Sequence, residues 1–153
     1  MKEFSGNLTL NQDHHIAIVV SEFNTSITEN LLKGCVAGLN KVGTDNIDVY
    51  KVSGAFEIIG VAQKLSTMPQ YDAVICLGAV IKGETDHYEY ICNAVTSGIT
   101  SVATHSPIPV IFGVLTVATI EQAMNRAGLK SGNKGYDCAL TAAEMINLYA
   151  QIK

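Results

Sequence analysis

Four stretches of strand length occur along the chain, and each is followed by a segment in which apolar residues recur three and four positions apart. The first of these stretches, at residues 15–20, contains a continuous apolar run. Continuous apolar runs are typical of strands that are covered on both faces of a parallel sheet. The spacing of three and four predicts amphipathic helices. The predicted strands span residues 15–20, 47–52, 71–81 and 110–115, and the predicted helices start after residues 26, 53, 86, 119 and 135.

The alternation of strands and helices predicts an α/β fold, a three-layer α/β/α sandwich around a four-stranded parallel sheet with right-handed crossovers. Neither a repeat nor a linker divides the 153 residues, so we expect one domain over residues 1–153. Residues 1–12 are polar except for an alternating stretch at 7–10, which predicts an edge strand or an N-terminal arm. An arm this short is seldom ordered alone, so we expect it to bind a neighbouring subunit and to add a strand there.

Four of the predicted helices start at residues that favour capping. Three starts carry a pair with the spacing of a capping box, and the fourth follows a serine. These residues are Ser26 with Glu29, Asp86 with Glu89, Thr119 with Gln122, and Ser53. We therefore expect their side-chain oxygens to accept hydrogen bonds from free backbone amides at the helix starts.

The amino-acid composition favours some kinds of protein over others. Charged residues make up 16% of the chain, against about 25% in a typical domain, and this deficit favours surfaces that are covered in an oligomer. The net charge of −4 provides no electrostatic footprint for nucleic acid. The four cysteines lack metal-ligand spacing and are predicted to be buried free thiols in a reducing compartment. Without an apolar signal region or a run of transmembrane length, we expect a cytoplasmic protein with no metal and no membrane partner.

Candidate chemistry lies in the turns that join strands to helices, because ligands of open α/β sheets bind at the carboxyl ends of the strands. The turn at residues 82–87 is the best phosphate candidate. Gly83 lets the backbone approach closely, and the amides of Glu84 and Thr85 and the Thr85 hydroxyl can donate hydrogen bonds. The alternative is an ordinary capped turn.

Several side chains near these turns have both a functional and a structural interpretation. His87 lies where the helix dipole favours the neutral imidazole, which can transfer protons near pH 7, although exposed histidines at helix starts are common. Phe23 suits stacking on a planar ring, or it could be a hydrophobic staple. Phe56 could equally belong to the core, and Phe112, in the middle of a strand, is more often a core residue. Glu57, in the first turn of its helix, could accept hydrogen bonds from sugar hydroxyls or only match the dipole. Arg126, in the last turn of a helix, is favourable there without any ligand, and Lys134 could be an ordinary loop lysine.

Six motifs occur in one order between about residues 16 and 149. They are Phe23-Asn24, Gly54-Ala-Phe-Glu57, the run from Gly78 to Tyr90 that contains Thr85 and His87, Phe112-Gly-Val-Leu-Thr116, Asn125-Arg-Ala-Gly128 and Gly132-Asn-Lys-Gly135. In this combination the chain closely resembles the 6,7-dimethyl-8-ribityllumazine synthase family of riboflavin biosynthesis.

The resemblance implies a condensation of 5-amino-6-(D-ribitylamino)uracil with 3,4-dihydroxy-2-butanone 4-phosphate, the penultimate step of the pathway. An imine forms, phosphate leaves, and the second amine closes the ring with loss of water. The resemblance also implies that the reaction uses no metal and no organic cofactor.

The resemblance assigns a role to residues at matching positions. His87 would transfer protons, Phe23 would stack on the pyrimidine, and Glu57 would accept from ribityl hydroxyls. Contacts to the ribitylaminouracil would come from Phe23, Ala55, Phe56, Glu57, Ala79, Val80, Ile81 and, from a neighbouring subunit, Phe112. Contacts to the phosphate of the butanone substrate would come from Glu84, Thr85, Arg126 and Lys134.

The resemblance further implies a flavodoxin-like fold and a homopentamer with sites between subunits. The short connector at residues 128–135 resembles members that assemble into an icosahedral shell, inside which riboflavin synthase could be housed. A free pentamer or decamer is the alternative. The chain departs from the family at Lys82, where arginine is frequent, and at Glu84, where alanine is frequent.

Two other functions fit parts of the sequence. A flavodoxin-like binding module could hold a flavin phosphate in the loop that contains Ser21, Thr25 and Ser26. A purely structural shell protein would need no activity. Stoichiometric bound flavin without turnover would favour the first, and Phe23, Glu57, His87 and Arg126 argue against the second.

Overall fold

Four parallel strands form one sheet in the order β2-β1-β3-β4 in the computed structural model, which describes residues 1–130 and 132–152. The strands are β1 (Ile16–Ser21), β2 (Ile47–Val52), β3 (Ala73–Ile81) and β4 (Val110–Val117). The helices are α1 (Thr25–Val42), α2 (Ala55–Ser66), α3 (His87–His105), α4 (Ile120–Arg126) and α5 (Lys134–Gln151). The predicted fold class, a parallel α/β sheet between two helical layers, is confirmed.

Helices cover both faces of the central strands. Residues such as Ile18 and Ile75 face the layer of α1 and α5, whereas their neighbours Val19 and Val74 face α2 and α3. All six residues of β1 are buried, and so are the first eight of β3. This two-sided burial explains why these strands read as continuous apolar runs rather than as alternating ones.

Only one of the four predicted helix caps forms as expected. Thr119 is the N-cap of α4, where its hydroxyl accepts from the Gln122 amide at 3.2 Å, and Gln122 Oε1 accepts from the Ala118 amide at 2.8 Å. The Asp86 side chain accepts no cap hydrogen bond, although the residue precedes α3. Its backbone is already helical, at φ −71° and ψ −6°, so the carboxylate is not directed back over the first turn.

The predictions for Ser26 and Ser53 are wrong. α1 starts one residue before Ser26, after Asn24, whose backbone is left-handed at φ 63° and ψ 51°. α2 follows Gly54, and the Ser53 hydroxyl donates to Glu57 Oε1 at 3.3 Å instead of accepting from a helix amide. In both cases the turn geometry places another residue at the cap.

The N-terminal segment lies along α5 of its own chain. The side-chain amide of Asn147 donates to the carbonyls of Asn7 and Thr9, both at 2.9 Å, and Gln151 donates to the carbonyl of Ser5 at 2.7 Å. Leu10 is buried. No strand forms within residues 1–15, so the edge strand that was one of the two predictions for residues 7–10 is not observed in the single chain. The addition of a strand to a neighbouring subunit stays a prediction.

Three of the four free cysteines are buried, as predicted, and Cys92 is half-buried. Burial raises the pKa of Cys76 to about 12 and that of Cys138 to about 11. These two thiols therefore stay protonated near neutral pH and act as small apolar side chains. None of the helices in the described part of the chain combines the length and the apolar character needed to cross a membrane.

A polar cluster joins β1, β2 and the start of β3 at the amino end of the sheet. His15 Nε2 lies 2.9 Å from Asp48 Oδ2, and the hydroxyl of Tyr71 donates to the same oxygen at 2.7 Å. The hydroxyl of Tyr50 is hydrogen-bonded to that of Tyr71. Tyr71 is 3% exposed, and burial, followed by the hydrogen bonds with Tyr50 and Asp48, raises its pKa.

We expect Tyr71→Phe to lower the free energy of unfolding by about 1–2 kcal/mol, because a buried hydrogen bond to a carboxylate is lost. Tyr90→Phe, at a highly exposed tyrosine of α3, is the control. Since the pKa of folded Tyr71 is raised, its contribution is present in full below pH about 10, the unfolded pKa of tyrosine, and is lost as the pH rises further. Urea unfolding between pH 7 and 11, at fixed protein concentration, measures both effects. Equal unfolding free energies for the two variants would contradict the prediction.

Asn24 has a left-handed backbone, and its side chain donates a hydrogen bond to the Ala79 carbonyl at 3.3 Å. Two substitutions separate the contribution of the backbone conformation to stability from that of the hydrogen bond. Asn24→Gly and Asn24→Ala both remove this hydrogen bond, but only alanine pays the steric cost of positive φ. We expect the alanine variant to be less stable than the glycine variant by about 1 kcal/mol. Urea unfolding of the pair measures the difference, and equal stabilities would mean that the left-handed turn is not retained.

Candidate active site

A cleft of about 520 Å³ opens at the carboxyl end of the sheet, where β1, β2 and β3 meet the starts of α2 and α3. Nine of the residues predicted for the site line this cleft. They are Phe23, Ala55, Phe56, Glu57, Ala79, Val80, Ile81, Thr85 and His87. Residues from three separate strand-to-helix turns thus line one cleft. The roles of these residues in ligand binding stay predictions.

Backbone hydrogen bonds bring the first two turns together. The amides of Glu22 and Phe23 donate to the carbonyls of Val52 and Ser53, at 2.7 and 3.0 Å, and so continue the pairing of β1 with β2 beyond the strands. Phe23 is thereby held beside the start of α2 at the mouth of the cleft.

Asn24 connects this loop to β3, and the sequence did not assign it a role. Its side-chain amide donates to the carbonyl of Ala79, a residue of the cleft wall. Asparagine tolerates the left-handed conformation better than most residues, so the Phe23-Asn24 pair at a strand end was the available signal.

The aromatic side chains at the cleft are exposed rather than packed in the core. Phe23 is 71% exposed and Phe56 is 53% exposed. A hydrophobic staple for Phe23 and a core position for Phe56 are therefore not observed. Exposed rings at a ligand edge provide apolar faces on which a planar ring can stack.

Polar groups lie between these rings and the start of α3. Glu57, in the first turn of α2, accepts one hydrogen bond from Ser53 and retains capacity to accept from ligand hydroxyls. His87 is the first residue of α3, and its amide donates to Thr85 Oγ1 at 3.4 Å. The cleft therefore combines a carboxylate, a hydroxyl and an imidazole that can accept or donate a proton.

Tyr88 also lines the cleft, although no role was predicted for it from the sequence. It is half-buried, and Ile91 of the same helix also lines the cleft. Burial, followed by a hydrogen bond with Cys92, raises the pKa of Tyr88. Its hydroxyl therefore stays protonated near neutral pH.

The predicted cations do not reach the cleft of the same chain. No lysine or arginine belongs to the described cleft lining. Arg126 ends α4, where its Nη1 donates to the Gln122 carbonyl at 3.3 Å. Lys134 and Phe112 line a separate groove of about 320 Å³ between β4 and α5, and Phe112 is 37% exposed there. Glu84 is exposed and stands outside the lining, next to Thr85.

The loop after β1 is poorly suited to a flavin phosphate. The hydroxyl of Thr25 donates to the Glu22 carbonyl, and Ser21 is buried. The pocket at this loop carries the carboxylates of Glu22 and Glu29 against the single cation of Lys51. Two carboxylates disfavour a phosphate, so the geometry argues against the flavodoxin-like binding module.

Residues 1–130 and 132–152 do not provide a set of side-chain ligands for a metal ion. No group of three or more histidine, cysteine, aspartate or glutamate side chains there is arranged to hold a metal ion.

Comparison with known families agrees with the resemblance of the motifs. The family model of 6,7-dimethyl-8-ribityllumazine synthase matches residues 13–150, which is nearly the whole chain and includes every residue predicted for the site. The chain therefore belongs to the 6,7-dimethyl-8-ribityllumazine synthase family, an enzyme family of riboflavin biosynthesis.

Proposed function

We propose that the chain condenses 5-amino-6-(D-ribitylamino)uracil with 3,4-dihydroxy-2-butanone 4-phosphate to 6,7-dimethyl-8-ribityllumazine, with release of phosphate and water. The observation that carries this proposal is the cleft, in which Phe23, Glu57 and His87 from three turns face one space. Membership of the family supports the same reaction.

The chemistry of these groups suits the steps of the reaction. Phe23 would stack on the pyrimidine while Glu57 accepts from ribityl hydroxyls, which holds the nucleophilic amine against the ketone. The amine attacks the carbonyl carbon, and loss of water forms the imine. His87 would move the protons for imine formation and for the enolisation that expels phosphate. The second amine then closes the ring with loss of water. The proposal requires no metal and no organic cofactor.

Departure of phosphate needs positive charge, which the described cleft lining does not supply. We therefore propose a homopentamer in which a neighbouring subunit brings Phe112, Arg126 and Lys134 to the open side of the cleft. The low charged fraction, 16%, and the exposure of Phe112 support extensive subunit contacts. Thr85 and the backbone amides of the 83–85 turn, including that of Glu84, would complete the phosphate contacts.

Further assembly into an icosahedral shell is the form that we propose for the pentamer, with a free pentamer or decamer as the alternative. The short connection between α4 and α5 supports the shell. Riboflavin synthase inside the shell and a cytoplasmic location complete this proposal.

An assay that follows lumazine absorbance and fluorescence tests the reaction, with the non-enzymatic condensation as the blank. We expect a rate well above the blank, a fall of about 10²-fold in His87→Ala through loss of proton transfer, and a residual rate from substrate proximity. Arg126→Ala should be more severe and should raise KM for the butanone phosphate, because a charge-assisted contact is lost.

The matched control is His105→Ala, which removes the imidazole at the opposite end of α3 and should leave the rate unchanged. A wild-type rate equal to the blank, from a folded oligomer, would contradict the proposed reaction. It would favour a binding or a structural protein instead.

Mixed oligomers test whether two subunits share each site. His87→Ala and Phe112→Ala should each be impaired alone. Co-assembled in equal amounts, they should recover about a quarter of the wild-type rate, because a quarter of the interfaces then combine two intact halves. Co-assembly of His87→Ala with Glu57→Ala, both in the cleft of one chain, is the control that should recover nothing. Failure of the first pair to recover activity would place Phe112 and His87 in the same subunit's site.

A further inference from the structure

Arg126 and Lys134 lie at the two ends of one short connection. α4 ends at Arg126 and α5 begins at Lys134. Between them, Ala127 and Asn133 form an isolated antiparallel bridge, so the two cationic residues directly flank the bridged pair. Opposed residues in such a pair have Cα atoms about 4.5–5.5 Å apart. The bridge therefore holds the backbone attachment points of the two cations close together.

The side chain of Asn133 ties this connection to its surroundings. Its amide nitrogen donates to the carbonyl of Asn30 in α1 at 2.9 Å and to that of Ala127 at 3.3 Å. Its Oδ1 accepts from the amide of Tyr136 at 3.2 Å and so caps α5. One side chain thus fixes the end of α4 and the start of α5 against α1.

Close packing leaves the amide of Asn133 little freedom. α1 has a glycine at position 34 opposite this side chain, and a methyl group there would lie 2.3 Å from Cγ of Asn133. Because Gly34 has no side chain, it leaves room for the amide of Asn133. If the amide rotated, it would lose its hydrogen bonds to the two carbonyls that face it.

We propose that Asn133 is a positioning residue for the phosphate site, because its side-chain amide sets the relative placement of Arg126 and Lys134. This inference rests on the proposed function, in which these two cations bind the phosphate of the butanone substrate. Arginine recognises phosphate through a planar fork of donors, so its affinity depends on direction as well as on charge. A change in the connection would misdirect the cations without removing either of them.

The capping role of Asn133 can be separated from its positioning role. Asn133→Asp retains an oxygen that accepts from the Tyr136 amide and replaces the donor by an acceptor that faces the carbonyls of Asn30 and Ala127. Asn133→Ser also retains a capping oxygen and removes the amide nitrogen that makes both donations, without that repulsion. If Asn133 only capped α5, neither Asn133→Asp nor Asn133→Ser would change the binding of phosphate.

Binding of inorganic phosphate to the assembled protein, followed by ³¹P NMR titration, is the primary readout. We expect Asn133→Asp to raise the Kd for phosphate about tenfold, with a smaller rise in Asn133→Ser. In the assay, KM for the butanone phosphate should rise by a similar factor, whereas KM for the ribitylaminouracil stays unchanged. In an Arg126→Ala background, Asn133→Asp should raise the Kd much less, since it acts through the same contact.

Asn147→Asp is the matched control, because it removes a double donation at the far end of α5, to the carbonyls of Asn7 and Thr9. It should alter stability but not the phosphate Kd. Equal phosphate Kd values in folded Asn133→Asp and Asn147→Asp would overturn the positioning role. If Asn133→Asp does not fold, Asn133→Ser decides by the same comparison.

The two proposals fail separately. If phosphate binding depends on Asn133 while the wild type shows no condensation above the blank, the positioning role stands and the reaction is overturned. If the wild type condenses the substrates and its phosphate Kd does not depend on Asn133, the reaction stands and the positioning role is overturned.

Discussion

Strand β3 runs between β1 and β4 with eight of its nine residues buried. A parallel strand in this position must be covered on both faces, so two layers of helices have to pack against the sheet. With both faces closed, a ligand can approach the central strands only at their ends. The backbone leaves β3 at Ile81, and the turn into α3 lies beside the turns after β1 and β2. The position of the cleft therefore follows from the burial of this strand.

The groups that the proposed reaction would use are divided between two regions of the chain. Glu57 and His87 line the cleft, whereas Lys134 and Phe112 share a groove between β4 and α5. In the proposed assembly these regions meet between neighbouring subunits. Activity would then depend on the oligomer as well as on the fold, since neither region alone combines proton transfer with charge neutralisation.

Asparagine side chains connect separate segments of the backbone, and three of those in residues 1–130 and 132–152 serve as examples. Asn24 donates to the Ala79 carbonyl, Asn133 to those of Asn30 and Ala127, and Asn147 to those of Asn7 and Thr9. The carbonyls of Asn7 and Thr9 belong to the irregular N-terminal segment and that of Ala127 follows the end of α4, whereas Ala79 lies in β3 and Asn30 in α1. The first two sites adjoin the regions that the proposed reaction uses.

The sequence by itself determined the strands, the helices and the Thr119 cap, because these depend on residues a few positions apart, and the order of strands and helices predicted the layered fold class. Its motifs also indicated the family and nine residues that line one cleft. Only the tertiary structure decided that Asn24 rather than Ser26 precedes α1, that residues 5–9 lie on α5, and that Arg126 and Lys134 stand outside the cleft. The contact between Asn7 and Asn147 joins residues 140 positions apart. Such contacts depend on how whole elements pack, and local periodicity carries no information about that.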